Sequence, residues 1–199
     1  KLISIYNHCM VKSYKFYILF SLIALHLVAC APVAVVIAPT SYSDRRTVET
    51  QFIDQKIEIK AILDAQDIYA GSNVSFVSYN QTVVITGEAR SQEIKDLVAN
   101  KIQEIENVKG VKNFLLVHPE DSSLKSEAND TLITANIKSR LFIQEKETKL
   151  FPLHVKVFTE RQTVYLMGIL SEEEAASAIK IAKSSRGVKK VIPLFEIAK

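Results

Sequence analysis

Gln81-Thr82-Val83-Val84-Ile85-Thr86-Gly87 and Gln162-Thr163-Val164-Tyr165-Leu166-Met167-Gly168 are one phrase written twice, at a shift of 81. Each is a β-branched run ended by a glycine, which reads as a strand. The copies extend beyond it. Val74-Ser75-Phe76-Val77 returns as Val155-Lys156-Val157-Phe158, and Val108-Lys109-Gly110-Val111 as Ser185-Arg186-Gly187-Val188. An internal repeat decides architecture before any single element does. Two copies of some 70–80 residues read as two small domains, each able to bury a modest core.

Working outward, each copy has the same order of elements. In the first, a helix over 44–63 places Val48, Phe52/Ile53, Ile57 and Ala61 at helical spacing, which assigns them to the core. A strand near 74–78 and a tight turn at Tyr79-Asn80 lead into the strand 82–86, ended by Gly87. A second helix, 91–107, carries Ile94, Leu97/Val98, Ile102 and Ile105, with Ser91 as N-cap and Gly110 as the helix stop. A third strand over 111–117 completes an αββαβ unit. The second copy runs helix 131–143, strands near 154–159 and 163–167, helix 171–185 and strand 188–197. Gly168 and Gly187 take the turn positions of Gly87 and Gly110. Residues 118–130 form a polar linker between the copies. The fold class is α+β: two tandem αββαβ sandwiches, over 44–117 and 131–199.

The amino terminus is written differently. Lys12 and Lys15 precede an apolar run from Phe16 to Ala29, the pattern of a secretory signal over 1–29, with Met10 as an alternative start. The run is short for a membrane span, which takes ~20 residues. It ends in Leu27-Val28-Ala29-Cys30, which resembles the bacterial lipobox, in which the cysteine is lipid-modified and becomes the new terminus. The resemblance implies an acylated, palmitate-bearing Cys30. Ala31 after it, rather than Asp, implies passage to the outer membrane. Residues 30–43 then read as a lipidated tether with Pro32 and Pro39.

The formal net charge of +3 hides a division. Residues 31–130 hold 10 Lys/Arg and 15 Asp/Glu, whereas residues 131–199 hold 12 and 7. Such asymmetry bears on partners rather than on fold. The body has His118 and His154 but no cysteine, no carboxylate cluster at metal spacing and no glycine-rich phosphate loop. No catalytic residue, metal, cofactor or small-molecule substrate is expected. Nucleic acid is not expected either, since the basic half has no interleaved aromatic platform. Glu172-Glu173-Glu174 reads as a solvated, dipole-favoured first turn.

The helix 131–143 is the candidate working surface. Ile133, Ile137 and Leu141 form a core stripe, with Asp130 as N-cap. Thr131, Leu132, Ala135 and Ser139 face outward, flanked by Lys138 and Arg140. Laid on the first copy at a shift of 80, Leu132 meets Phe52, Thr134 meets Asp54, Lys138 meets Glu58 and Arg140 meets Lys60. In that alignment the first copy is acidic where the second is basic. An anionic membrane attracts each cation by ~1 kcal/mol, so only the second copy is expected to dock there, with Leu132 entering the headgroup boundary.

The ordered motifs resemble the BON domain. The closest matches are Asn129-Asp130-Thr131, Lys138-Ser139-Arg140-Leu141, Val155-Lys156-Val157, Leu166-Met167-Gly168 and Gly187-Val188-Lys189. A lipobox followed by two such domains resembles the bacterial dual-BON outer-membrane lipoproteins of the DolP type. That resemblance implies a lipid-anchored protein on the periplasmic face of the outer membrane. It implies binding of anionic phospholipid through the first helix of the second domain, and support of envelope integrity. Leu132 stands where such relatives carry an aromatic residue. The alternative is a periplasmic protein-interaction or chaperone-like adaptor with envelope proteins as partners.

Overall fold

Val83, Ile85 and Ala89 alternate along one strand with Val84, Thr86 and Glu88, and both sets are buried. A strand buried on both faces needs a layer on each side. The structure, a computed structural model, describes residues 44–117 and 124–198, and it supplies both layers. The signal segment, Cys30, the tether and residues 118–123 with His118 lie outside the described residues.

The first domain runs α1 (Val48–Ala65), β1 (Val74–Tyr79), β2 (Thr82–Ala89), α2 (Gln92–Gln103), β3 (Gly110–Asn113) and β4 (Leu116–Val117). The second runs α3 (Leu124–Ile143), a short α4 (Glu145–Thr148), a 3₁₀ turn (Pro152–His154), β5 (Lys156–Glu160), β6 (Thr163–Leu170), α5 (Glu172–Lys183) and β7 (Lys190–Ile197). In each sheet an antiparallel hairpin is joined by a parallel strand: β1–β2–β3, with β4 also on β2, and β5–β6–β7. The expected αββαβ order holds in both copies.

Three cores follow from the alternation. Ile57, Ala61, Val83, Ile85, Val98 and Ile102 close the first domain between its helices and sheet. Ile133, Ile137, Leu141, Val164, Leu166 and Ile181 do so in the second. The other sheet faces meet each other through Tyr79, Val84, Tyr165 and Met167, with Phe114, Phe158, Ile169 and Ile192 around them. Phe158 stacks on Tyr165 at 5.0 Å and 6°, and Phe114 tilts onto it at 5.3 Å. The two domains therefore share a third core, sheet against sheet.

Polar clamps cross the same junction. Arg45 makes a bidentate pair with Glu174 at 2.7 and 2.8 Å and also donates to the Ile169 carbonyl. Lys156 donates to Glu58 and to the Ser78 carbonyl. Arg161 pairs with Glu88, which is 1% exposed. Glu174 is thus not the solvated first-turn residue expected. It completes a capping box with Ser171 and is buried. Burial alone would raise its pKa, but Arg45 and the Ser171 N–H outweigh that and hold it below the ordinary carboxylate value.

The glycines divide. Neither Gly87 nor Gly168 ends its strand, since β2 runs on to Ala89 and β6 to Leu170. Each lies where a side chain has no room. A Cβ on Gly87 would stand 2.0 Å from the Asn73 carbonyl oxygen, and one on Gly168 would stand 2.4 Å from that of His154. Gly110 is the first residue of β3, well past the end of α2, and has open space beside it. The strand register pairs Thr82 with Gly110 and Thr163 with Lys190. So Gly110 corresponds to Lys190, and Gly187 (φ 87) corresponds to Asn107 (φ 71). The repeated Gly-Val ending of the sequence is offset by three residues in space.

Candidate functional site

Helix α3 begins at Leu124, about two turns earlier than expected. Asp130 is therefore inside the helix and does not cap it. Its carboxylate accepts from the backbone N–H of Arg161 at 2.7 Å and of Gln162 at 2.8 Å. Both residues are non-glycine at positive φ (48 and 61), the geometry of a tight hairpin. A buried carboxylate holding two N–H groups offsets the strain there.

The first domain has the same device. Asp54 accepts from Asn80 N at 2.8 Å and Gln81 N at 2.7 Å, again with both turn residues at positive φ. Asp54 therefore corresponds to Asp130, a shift of 76 and not 80. Ile133, Ile137 and Leu141 then match Ile57, Ala61 and Ala65, and all six are buried. Thr134, bonded to Thr159, matches Glu58, bonded to Ser78 N. The longer connection from α3 to β5 absorbs the difference. This alignment takes the charge reversal off the outward cation: Leu132 matches Lys56 and Lys138 matches Ile62, while the reversal moves to Arg140, which matches Asp64. Asp54 and Glu58 are turned inward to partners.

Along the outward face of α3, Leu132 is 69% exposed. Thr131, Ala135, Lys138 and Ser139 are exposed beside it, and Thr131 donates back to the Glu127 carbonyl. Ala135, Thr131 and Lys138 line a shallow groove with Thr134 and Thr159. Arg140 is not a free cation. It donates to the Ile181 carbonyl at 2.8 Å, to Ser185 Oγ and to Ser184 Oγ at 2.9 Å, tying α3 to the end of α5. Its charge offsets the negative end of that helix.

The face is longer than the sequence reading made it. Phe142 is 54% exposed and Ile143 75%. Ile143, eleven residues past Leu132, falls back on the same side of a 3.6-residue helix, and Phe142, at ten, lies about 80° round towards Lys138. That periodicity was present in the sequence. Phe142 and Lys138 also line a cleft of about 260 Å³ with Arg46, Pro152, Leu153 and Lys156.

Helix α1 departs from expectation in the same direction. Val48 and Phe52, assigned to its core, are 59% and 64% exposed. Ile59, Ile62 and Leu63 are exposed as well. The first helix thus has two apolar faces, of which one is covered.

At the hairpin capped by Asp130, Glu160 is raised to about 7, chiefly by burial and then by Glu88 and Asp130. Tyr165 is raised to about 12 by burial and by Glu160.

The BON domain family matches residues 55–119 and 129–199, the two units just described. The chain belongs to the BON-domain family. It carries two copies. It is 32% identical, over 77% of its length and 79% of the relative's, to the outer membrane lipoprotein DolP of Haemophilus influenzae. It is 30% identical to a 21 kDa hemolysin of Actinobacillus pleuropneumoniae, over 74% of each chain. It is also 30% identical to the osmotically-inducible protein Y of Escherichia coli, over 67% of this BON protein and 66% of that one. Among the described residues, no helix is long and apolar enough to cross a membrane.

Proposed function

We propose that this BON protein is an outer-membrane lipoprotein. It is anchored through Cys30 on the periplasmic face, docks anionic phospholipid through α3, and supports envelope integrity as a binding protein rather than an enzyme. The observation that carries the reading is the uncovered face of α3. Leu132, Phe142 and Ile143 project into solvent, with the exposed Lys138 beside them. An amphipathic helix of this kind lies in the headgroup plane, its apolar side chains buried and its cations on phosphate. The similarity to DolP, named an outer membrane lipoprotein, supports the location. Leu132, Thr131, Ala135 and Ser139 form the contact with Phe142 and Ile143, and Lys138 supplies the charge; Arg140 serves the fold.

The test is sedimentation of the body from Asp44 onward with vesicles, without acyl chains. Binding is expected to anionic vesicles and not to zwitterionic ones. Lys138→Glu is expected to weaken it about tenfold. Equal binding to both vesicle types would remove the electrostatic part of the reading.

A further inference from the structure

The second helices of the two domains align in space at a shift of 80. Ser91 and Ser171 cap α2 and α5. Val98, Ile102 and Ile105 match Ala178, Ala182 and Ser185, all buried. Asn107 matches Gly187, both at positive φ. On that alignment the ends of the two helices differ in charge. Residues 180–190 hold five cations and no acid, whereas residues 100–110 hold Lys101 and Lys109 against Glu104 and Glu106. The excess of 12 Lys/Arg over 7 Asp/Glu in residues 131–199 is no larger than the charge of this one stretch.

Lys190 stands apart from the other four. Val191 packs in the core under the helices and Ile192 in the sheet-to-sheet core. Strand alternation, carried one residue back, therefore puts Lys189 on the helix side and Lys190 on the other, where it lines a cleft with Glu160 and Tyr165. On α5, Lys180 and Lys183 lie about 200° and 140° round from the buried Ala178, so they point away from the sheet. Arg186 is exposed in the turn that follows. All four are exposed, and among the described residues no salt bridge takes any of them. Lys180 shares a polar cleft with Glu147 and Glu173, which Arg140 and Lys149 balance there. A helix C-terminus favours cations in its last turn, which accounts for Lys180 and Lys183 but not for Arg186 and Lys189 beyond it. The counterparts Asn100, Gln103, Glu106 and Lys109 carry no net charge. Four unpaired like charges repel one another, so they fit a ligand of opposite sign and not a need of the fold.

The stretch lies beside α3. Arg140 donates to Ser184 and Ser185, and a Cβ on Gly187 would stand 3.1 Å from the Ile133 side chain. Ile133, Ile137 and Leu141 enter one core with Ala178, Ile181 and Ala182. The two helices thus form a single layer, and its outer surface carries Leu132 together with Lys180 and Lys183.

We infer that Lys180, Lys183, Arg186 and Lys189 hold lipid phosphates of the same anionic bilayer that α3 enters, and that they, more than Lys138, supply the attraction. The inference rests on the lipid reading of α3 and gives that reading most of its charge.

Sedimentation with vesicles of phosphatidylserine and phosphatidylcholine in equal parts tests it, using the body from Asp44 onward, whose three cores lie wholly within it. Lys183→Gln and Arg186→Gln are each expected to weaken binding about fivefold, and Gln at all four positions by about two to three orders of magnitude. Lys109→Gln with Lys112→Gln, on the first domain, should leave binding unchanged. A four-site variant that binds as the parent does, while Leu132→Glu loses binding, overturns the inference and leaves the α3 reading standing. A loss in the Lys109 and Lys112 pair equal to that of Lys183→Gln with Arg186→Gln makes the attraction diffuse and overturns it too. Equal binding of the parent to phosphatidylcholine alone overturns it together with the electrostatic part of the α3 reading.

Discussion

Helix α1 is fastened to its hairpin by a carboxylate with four partners, whereas α3 uses one with two. Asp54 accepts from Ser78 Oγ, Asn80 N, Gln81 N and Arg46. Asp130 accepts from Arg161 N and Gln162 N. Beneath the helices the balance is reversed. The second domain buries Ile137 and Leu141 where the first has Ala61 and Ala65. One domain holds its leading helix by a polar network around small side chains, the other by aliphatic volume around a simpler cap. The same fold thus leaves different surfaces free. In α1 the inner face is polar at Asp54 and Glu58, and the apolar side chains fall outward. In α3 the large aliphatic side chains point inward, and the outward apolar residues are fewer and sit beside Lys138.

This contrast predicts an order of sensitivities. Asp54→Ala is expected to be the most costly change, about 3–5 kcal/mol, because Ser78 Oγ, Asn80 N, Gln81 N and Arg46 all lose an acceptor at a strained turn, although Arg46 keeps Asp44. Ile137→Ala should cost about 2–4 kcal/mol through the cavity left under α3. Asp130→Ala should cost about 1–3 kcal/mol, since two donors lose a partner rather than four. Chemical denaturation of the three variants checks the order. An Asp130→Ala loss equal to that of Asp54→Ala would mean that the extra partners of Asp54 contribute nothing. The shared sheet-to-sheet core predicts that both domains unfold in one transition in these experiments.

A smaller effect is a dependence on pH. Glu160 is raised to about 7, above an ordinary carboxylate at 4.5, so the folded chain holds a proton that the unfolded chain releases. Stability from this group is fully present below the unfolded value and is lost as pH rises through about 7. The groups around it are Glu88, Asp130, Glu127 and Arg161. Thermal melts should therefore fall as pH rises from weakly acid to weakly alkaline, and Glu160→Gln should flatten that part of the profile. An unchanged slope in the variant would place the titration elsewhere.

The sheets were legible in the sequence because β2 and β6 are β-branched runs, and the helices because Ile133, Ile137, Leu141 and Ile102 keep a helical period. The relation between the copies was legible only in part. The strands repeat at 81 and the first helices at 76, so a single shift carried across both misplaced Phe52, Glu58 and the charge comparison. Asp54 and Asp130 were the signal, each preceding its hairpin by a similar distance. Their role could be read only once both carboxylates were seen under the turns. Arg140 was out of reach, since its partners Ser184 and Ser185 lie more than forty residues away. The two apolar faces of α1 could not be ranked by periodicity alone, because both carry it.

The proposed lipid site lies on α3 and not on α1. It is tested most directly by vesicle sedimentation of paired variants, Leu132→Glu on α3 and Phe52→Glu on α1. Binding to anionic vesicles is predicted to be lost with Leu132→Glu and retained with Phe52→Glu. The reverse pattern, or equal loss in both, would contradict it.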